Sequence, residues 1–369
     1  MSCWWLLSTI FIAMLCRRTC MAQNFSAIFV FGDSLVDVGN NNYIPSLAKA
    51  DHDPIGVDFG KATGRFTNGR TKYVIYILSL LLTFLSTGQV LGFKSFPPPY
   101  MAPTTVGPVV LQGVNYASGA SGILDESGAN YIGRIPMDAQ LDNFAKTRLD
   151  IISSIGAPAT LKLFATALFQ VTTSSNDFIN NYFLPSLIKN QPPPETFIET
   201  LISAFRRQLT KLYDLGARKI VVTNAPPVGC IPYERDYNPS TGKECVASQN
   251  LVAQQFNHLL KEMLIELTAT LKGSTFVYAD VYSIVEDIIQ NYRSYDFEIA
   301  DSACCHVLGS HGGLLPCLPY AKICPDRSKY IFWDSYHVTD SVNVIIAKRL
   351  LDGDLNDISP LNIRALSHS

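Results

Sequence analysis

The sequence predicts an α/β fold, in which helices cover both faces of a mostly parallel β-sheet. Two patterns support this prediction: short β-like apolar runs recur along the chain, and longer segments with helical spacing lie between them. The 369-residue chain is 47% hydrophobic and 16% charged, so it can bury a large core. This composition excludes a mostly disordered protein.

Five apolar runs have the length and the β-branched or aromatic content of strands. The first is AIFVF at 27–31, and the others lie at 167–173, 219–227, 274–281 and 329–333. Parallel strands of such a sheet end at one edge, where ligands bind.

Segments with apolar residues three and four positions apart predict the helices. Two of them are long, at 196–217 and 244–273, and each has glycine near its end. A third follows the last apolar run, with Thr339 as its expected N-cap.

The charge pattern excludes a nucleic-acid partner. The net charge is −2, and no run of Lys and Arg is longer than two residues. We therefore expect a neutral or weakly charged ligand.

The first 22 residues are typical of a secretory signal peptide. An apolar core spans 4–16, and a small residue, Ala22, precedes the expected cleavage point. Arg17 and Arg18 follow the core instead of preceding it, so an uncleaved anchor is the alternative. Asn24 begins the sequon Asn-Phe-Ser, a candidate glycosylation site near the new N-terminus.

Cysteine usage agrees with export. Three of the nine cysteines lie in the leader, and an even set of six remains, at 230, 245, 304, 305, 317 and 324. Cys230 with Cys245 would close a short loop, and the other pairings stay open. The last four lack the spacing of a zinc site, and no histidine pair accompanies them.

One segment does not fit the α/β pattern. Tyr73–Leu85 is apolar on every side, but its thirteen residues fall short of the roughly 20 needed to cross a bilayer. No stable membrane span is therefore expected. The segment is interpreted as a buried helix or strand pair, or as an insertion that damages the fold.

Ser34 is the best candidate for a nucleophile. It follows the first apolar run directly, in the stretch Gly32-Asp33-Ser34, where a strand would reach the sheet edge. A serine after a strand is more often a helix cap, and its hydroxyl needs a neighbouring base to become nucleophilic.

His337 is the best candidate for that base. It lies just after the run 329–333, and Asp334 precedes it by three residues. A turn there can bring the carboxylate to one imidazole nitrogen and leave the other free to accept the serine proton. The alternative is an Asp-His pair that only braces the start of a helix.

Acyl transfer also needs hydrogen-bond donors for the developing oxyanion. The glycine-rich stretch 113–122 offers backbone N–H groups, and 172–181 offers the side-chain amide of Asn176. Either stretch alone is an ordinary loop.

Four sequence blocks together resemble the plant-type GDSL esterase/lipases of the SGNH hydrolase superfamily. They are FGDSLVDVGNNN, GVNYASGASGIL, SSNDFINNYF and WDSYHVTD, and the resemblance runs from about Gln23 to the end as one domain. It implies a three-layer α/β/α sandwich of flavodoxin-like type and ester hydrolysis without a metal or other cofactor. It also implies the triad Ser34, Asp334 and His337. The implied oxyanion hole comprises the Ser34 N–H, an N–H from the Gly119/Ala120 turn, and Asn176.

Three features depart from that family pattern. Ala120 stands where relatives usually have a second glycine, which matters if the turn needs positive φ. Ser174 opens the third block in place of glycine. The apolar run at 73–86 is an atypical insertion, which we interpret as translated intron or a gene-model error.

The sequence thus predicts a secreted serine esterase or lipase that acts on a small-molecule or lipid acyl ester. Two alternatives stay open: an acyltransferase that uses the same site, and a binding protein of the same fold with catalysis impaired by the insertion. Acyl-chain length and oligomeric state are not predicted.

Overall fold

The computed structural model describes residues 25–71, 96–185, 191–242 and 244–369. Its centre is a five-stranded sheet. In their order across the sheet, and numbered in chain order, the strands are β1 (Ile28–Gly32), β2 (Leu168–Thr172), β3 (Lys219–Thr223), β4 (Thr275–Ala279) and β7 (Ile358–Ser359). The first four are parallel, and β7 pairs with β4 in the antiparallel direction. The expected mostly parallel sheet is present.

The last predicted strand does not join this sheet. β6 (Tyr330–Phe332) pairs with β5 (Ile299–Ala303) in a separate two-stranded parallel sheet. Backbone bonds from Cys304 to Phe332 and from Cys305 to Trp333 extend that pairing. Disulfides at both cysteines cross-link the end of β5 to the segment that precedes β6. The apolar pattern of 329–333 identified a strand but not its partner.

Eight α-helices of the described residues have these bounds: α1 Met137–Ile155, α2 Ala157–Thr166, α3 Pro194–Asp214, α4 Pro232–Tyr237, α5 Ala247–Thr270, α6 Val281–Gln290, α7 Asp340–Asp352 and α8 Ile363–His368. A further helical turn at Ser175–Asp177 continues into a π-helical turn at Phe178–Tyr182. Short 3₁₀ turns occupy Asn40–Tyr43, Val57–Phe59, Gly107–Gln112, Ala129–Tyr131, Val228–Cys230, Pro239–Thr241, Tyr292–Tyr295 and Arg327–Lys329.

The helices flank the sheet and complete a three-layer α/β/α arrangement. In one group, α3 packs against both α1 and α5. In the other, α7 packs against both α6 and α8. The two long helices predicted from the sequence correspond to α3 and α5. Each buries one stripe of apolar residues, for example Leu201, Phe205 and Leu212 on α3.

The start of α7 differs from the expected cap. Thr339 precedes the helix, but its hydroxyl donates to the Tyr330 carbonyl and does not cap the helix. The Asn68 side chain instead accepts from the Asp340 N–H, at 2.9 Å. A distant segment therefore satisfies this helix end, which no local pattern could indicate.

The glycine-rich stretch at 113–122 runs along the outer edge of β1. Asn115 bridges to Val30, and Tyr116 and Ser118 donate to the Val30 and Gly32 carbonyls. This pairing carries the block in register with β1. Residues 118–120 therefore reach the same sheet edge as the residues that follow Gly32.

Three disulfides close short loops. Cys230 pairs with Cys245, as expected, and the pairings left open are Cys304 with Cys324 and Cys305 with Cys317. They close loops of 12 to 20 residues, and a cross-link across a loop of this size stabilises the folded protein by about 3 kcal/mol.

Several predictions concern residues outside the described ranges. These are the leader at 1–22, the sequon residue Asn24 and the apolar run 73–86. Within the described ranges, no helix is long and apolar enough to cross a membrane.

Glu234 on α4 is a buried carboxyl beside the Cys230–Cys245 loop. One of its oxygens accepts from the Gln249 side chain at 2.6 Å, and the other has no partner among the described residues. Burial raises the pKa of Glu234 to about 7. Because the folded-state pKa lies above the unfolded one, this group's contribution to stability is lost as pH rises from about 4.5 to 7.

We expect Glu234→Gln to make the protein more stable at pH 8 than the wild type, by about 3 kcal/mol at most. At pH 4 the two proteins should differ little, since Glu234 is then neutral. Urea unfolding at both pH values measures the difference. Exposed Glu199→Gln is the control, and an equal effect of Glu234→Gln at pH 4 and pH 8 would contradict the prediction.

Candidate active site

Ser34 lies two residues beyond the end of β1. Gly32 has φ +140°, and a Cβ there would come within 1.8 Å of the Thr172 carbonyl oxygen, so the neighbouring strand requires glycine. The Asp33 N–H then donates to that same carbonyl, at 3.0 Å. The Asp33 side chain accepts from the Leu35 N–H, at 2.9 Å. These bonds place Ser34 at the carboxyl edge of the sheet.

His337 lies in a tight turn that follows β6. The Trp333 N–H donates to the His337 carbonyl, at 2.8 Å, and closes the turn. Inside it, one oxygen of Asp334 accepts from the N–H groups of Tyr336 and His337, at 2.9 and 2.8 Å. The Asp334 carboxylate is therefore fixed by the backbone before it contacts the imidazole.

Ser34, His337 and Asp334 form one hydrogen-bonded line. His337 Nε2 lies 2.8 Å from Ser34 Oγ, although the two residues are 303 positions apart in the sequence. His337 Nδ1 lies 2.8 Å and 3.0 Å from the two oxygens of Asp334. Asp334 and His337 are only 2% and 7% exposed. This arrangement can remove the serine proton and stabilise the resulting imidazolium.

The two backbone N–H groups of the Gly119/Ala120 turn are not equivalent. The Gly119 N–H donates to the Asp37 carboxylate, at 3.0 Å. Among the described residues, the N–H groups of Ala120 and Ser34 have no hydrogen-bond acceptor. Within this turn, the Ala120 N–H is therefore available to bind an oxyanion, and the Gly119 N–H is not.

Asn176 faces the same cavity from the turn after β2. Its amide nitrogen donates to the Ser121 carbonyl at 2.9 Å, and its amide oxygen accepts from Asn180 at 2.6 Å. One amide N–H remains, so Asn176 can provide a donor beside those of Ser34 and Ala120.

Both residues that replace family glycines adopt positive φ. Ala120 has φ +69°, and Ser174 has φ +104° and ψ −27°. The turn therefore does need the conformation that alanine disfavours. Non-glycine residues there cost about 1–2 kcal/mol each. The buried Ser174 hydroxyl also has no partner among the described residues.

Two buried carboxylates fasten the Gly113–Gly122 stretch at its C-terminal end. Asp37 accepts from Gly119, Gly39 and Asn40 N–H groups. Asp177 accepts from the backbone N–H groups that follow Gly122 and from the Ser127 hydroxyl. Burial raises the pKa of each carboxyl to about 6, although the N–H donors oppose this shift.

A cavity of about 250 Å³ opens beside Ser34 and His337. Its walls are mostly apolar and come from several separate loops, with these side chains among them: Leu35, Leu47, Ile55, Phe66, Ile179, Val228, Ile231, Leu318 and Tyr336. Such a surface can hold an aliphatic group next to the serine.

The described residues contain no group of three or more His, Cys, Asp and Glu side chains with the geometry to hold a metal ion. The titratable side chains that line the cavity are Lys49, His52, Tyr131, Asp334, Tyr336 and His337.

Comparison with known proteins assigns the family. Residues 28–350 match the family described as GDSL-like Lipase/Acylhydrolase. The chain belongs to this family. That match covers both Ser34 and His337, and the relatives carry names of the same activity, so the chain is a carboxylic ester hydrolase.

Three curated relatives from Arabidopsis thaliana illustrate the similarity. GDSL esterase/lipase At4g16230 is 54% identical over 98% of this chain and 95% of its own length. GDSL esterase/lipase At3g50400 is 44% identical over 92% and 90% of the two chains. GDSL esterase/lipase 7 is 40% identical over 92% of each.

Four residues that support the site were not predicted from the sequence. Asp37, Asn41, Asp177 and Asn180 lie within the quoted blocks, and all are buried. Their signal was the density of Asp and Asn beside Ser34 and Asn176. The pattern did not show which backbone groups they bind.

We expect Ser174→Gly to raise the free energy of unfolding by about 1–2 kcal/mol. The change relieves the positive-φ strain and removes a buried hydroxyl without a partner, and both gains exceed the added backbone entropy of the unfolded chain. Ala120→Gly should have a smaller effect of the same sign. Urea denaturation of the purified variants measures both.

Ser175→Gly is the matched control, because Ser175 begins a helical turn and is not among the residues with positive φ. It should lower stability by about 0.5–1 kcal/mol. Loss of stability in both Ser174→Gly and Ala120→Gly would contradict the strain argument.

Proposed function

We propose that the chain is a secreted serine esterase or lipase that hydrolyses acyl esters through an acyl-enzyme on Ser34. The observation that carries this proposal is the 2.8 Å contact between His337 Nε2 and Ser34 Oγ, with Asp334 on the opposite imidazole nitrogen. Nucleophilic catalysis by serine requires a base, a carboxylate that orients it and a hydroxyl in this order, so the contact supports the proposal.

The first half-reaction forms the acyl-enzyme. Ser34 Oγ attacks the ester carbonyl carbon while His337 Nε2 takes the hydroxyl proton. Asp334 keeps the Nδ1–H tautomer in place and stabilises the imidazolium. The carbonyl oxygen becomes an oxyanion, for which the Ser34 N–H, the Ala120 N–H and the Asn176 amide are the proposed donors.

The intermediate then collapses, and the C–O bond to the leaving alcohol breaks. His337 returns its proton to the departing alkoxide, which leaves as the alcohol. In the second half-reaction water attacks the acyl carbon, and His337 accepts a proton from that water. The carboxylic acid is released, and Ser34 regains its proton.

The apolar cavity supports an aliphatic acyl group as the part of the substrate held beside Ser34. Its volume of about 250 Å³ lies just below the range usual for ligand sites, roughly 300–1,000 Å³.

Secretion is supported by the leader at 1–22 together with three disulfides. Such a set of cross-links persists in oxidising compartments.

We expect Ser34→Ala to lower kcat for p-nitrophenyl esters by at least about 10⁴-fold, because the nucleophile is lost. Asp334→Asn should lower kcat by a similar factor, since the imidazole would adopt the wrong tautomer. Steady-state kinetics on the purified protein measures both. Exposed Ser328→Ala should leave the rate unchanged.

A fluorophosphonate that labels wild type but not Ser34→Ala would support the serine assignment. Wild-type activity in Ser34→Ala would refute it. Added alcohol tests the acyltransferase alternative: if acyl transfer to the alcohol dominates over hydrolysis at low alcohol concentration, the proposed hydrolase assignment is wrong.

We expect the protein expressed in a eukaryotic secretory host to appear in the medium with Gln23 as its first residue. Asn24→Gln should remove the mass of one glycan, because Asn24 begins the sequon. N-terminal sequencing and intact-mass measurement test this, and an uncleaved protein retained in membranes would contradict it.

A further inference from the structure

Besides the Ser34 N–H, the proposed oxyanion donors are the Ala120 N–H and the Asn176 amide, and a buried asparagine binds the group that carries each of them. Asn41 binds the peptide group that contains the Ala120 N–H, and Asn180 binds the Asn176 side chain. We propose that Asn41 and Asn180 are positioning residues that aim these two donors at the oxyanion. The inference rests on the proposed function and adds residues to it that neither the triad nor the donor set includes.

Asn180 fixes which way the Asn176 amide points. Ser121 presents a carbonyl oxygen 2.9 Å from one end of that amide, and a carbonyl can only accept. The NH₂ end of Asn176 must therefore face Ser121, and its oxygen must face Asn180. Asn180 donates to that oxygen at 2.6 Å, so both partners favour the same orientation.

The local backbone holds Asn180 in place for this bond. Asn180 lies in the π-helical turn Phe178–Tyr182, and its φ of −109° and ψ of 20° depart from helical values. Its carbonyl accepts from the Gly128 N–H, at 3.2 Å. Asn180 is 6% exposed, so little water is available to replace its bond to Asn176. Such π-turns occur frequently at functional sites.

Asn41 fixes the plane of the Gly119–Ala120 peptide. Its amide nitrogen donates to the Gly119 carbonyl at 3.0 Å and to the Ala48 carbonyl at 2.9 Å. This peptide bond is trans, so the Ala120 N–H points opposite to the Gly119 carbonyl and away from Asn41. Ala120 lines the cavity, whereas Asn41 is 1% exposed and does not.

This arrangement predicts a specific kinetic effect. A donor that is turned away cannot stabilise the charge that develops in the transition state, but the substrate's acyl chain still binds the apolar walls. Loss of either asparagine amide should therefore lower kcat and leave KM nearly unchanged.

The decisive experiment is a double-mutant cycle on hydrolysis of a p-nitrophenyl ester. Asn180→Asp puts a carboxylate oxygen against the Asn176 amide oxygen, which should turn that amide around. We expect kcat to fall by about 10²-fold, as for loss of one oxyanion donor, with KM within about threefold. In an Asn176→Ala background the same Asn180→Asp change should cost less than about threefold.

A merely structural role for Asn180 predicts a different result. The two changes would then multiply, and Asn180→Asp would cost the same factor in both backgrounds; this outcome would overturn the proposal. The neighbouring buried amide Asn181 is the matched control, because it binds Ser127 and not Asn176. Asn181→Asp should keep kcat within about threefold.

For Asn41 the readout is the affinity for an alkylboronic acid, which forms a tetrahedral anion on a reactive serine. Asn41→Asp should weaken boronic-acid inhibition by at least about tenfold. Binding of an ether of the same chain length, which carries no oxyanion, should stay the same. Equal loss of both affinities would overturn the proposal for Asn41.

The Ser34→Ala control separates these outcomes from failure of the proposed function. If Ser34→Ala retains activity, the acyl-enzyme mechanism is wrong. If Ser34→Ala is inactive and the Asn176 and Asn180 effects multiply, only the positioning role of Asn180 is wrong.

Discussion

The hydrogen bond between Ser34 and His337 is the interaction on which the rest of the site depends. It joins residues 303 positions apart, and neither local segment can form it alone. The parallel register of β1 and β2 sets the position of Ser34, through the bonds at the Thr172 carbonyl. The small β5–β6 sheet and the turn around Asp334 set the position of His337. A shift of about 1 Å in either element would disrupt the geometry that proton transfer requires.

Buried carboxylates hold the segments that carry the proposed oxyanion donors. Asp37 and Asp177 reach the Gly113–Gly122 stretch and the residues just after it, from the first and third sequence blocks, and satisfy backbone N–H groups there. Burial raises the pKa of both carboxyls, and the N–H donors oppose that shift only in part. The charge of Asp37 in turn favours the charged form of the buried Arg65, whose pKa burial lowers to about 10. The two carboxylates thus link separate segments of the chain through buried hydrogen bonds.

The sequence predicted those features that local pattern controls. Strands β1 to β4 and helices α3 and α5 follow from apolar spacing, and Ser34 and His337 stand out because they follow apolar runs directly. Features set by distant contacts were not predictable in this way. The partner of β6, the bond from the Asp340 N–H to Asn68 at the start of α7, and the use of the Gly119 N–H by Asp37 each depend on a residue far away in the sequence. The disulfide pairings of Cys304 and Cys305 depend on the same long-range geometry.

Ala120 and Ser174 show that the contacts of a turn determine its backbone conformation more closely than the residue types of a sequence motif do. Glycine is the usual solution for such a backbone, because it adopts positive φ without strain. Ala120 and Ser174 adopt it nonetheless, at φ +69° and +104°. The surrounding bonds explain this: Asp37 and Asn41 hold the residue before Ala120, and the Ser174 carbonyl accepts from the Asp177 N–H. When several segments fix a turn, a strained side chain can replace glycine while the donor geometry is retained.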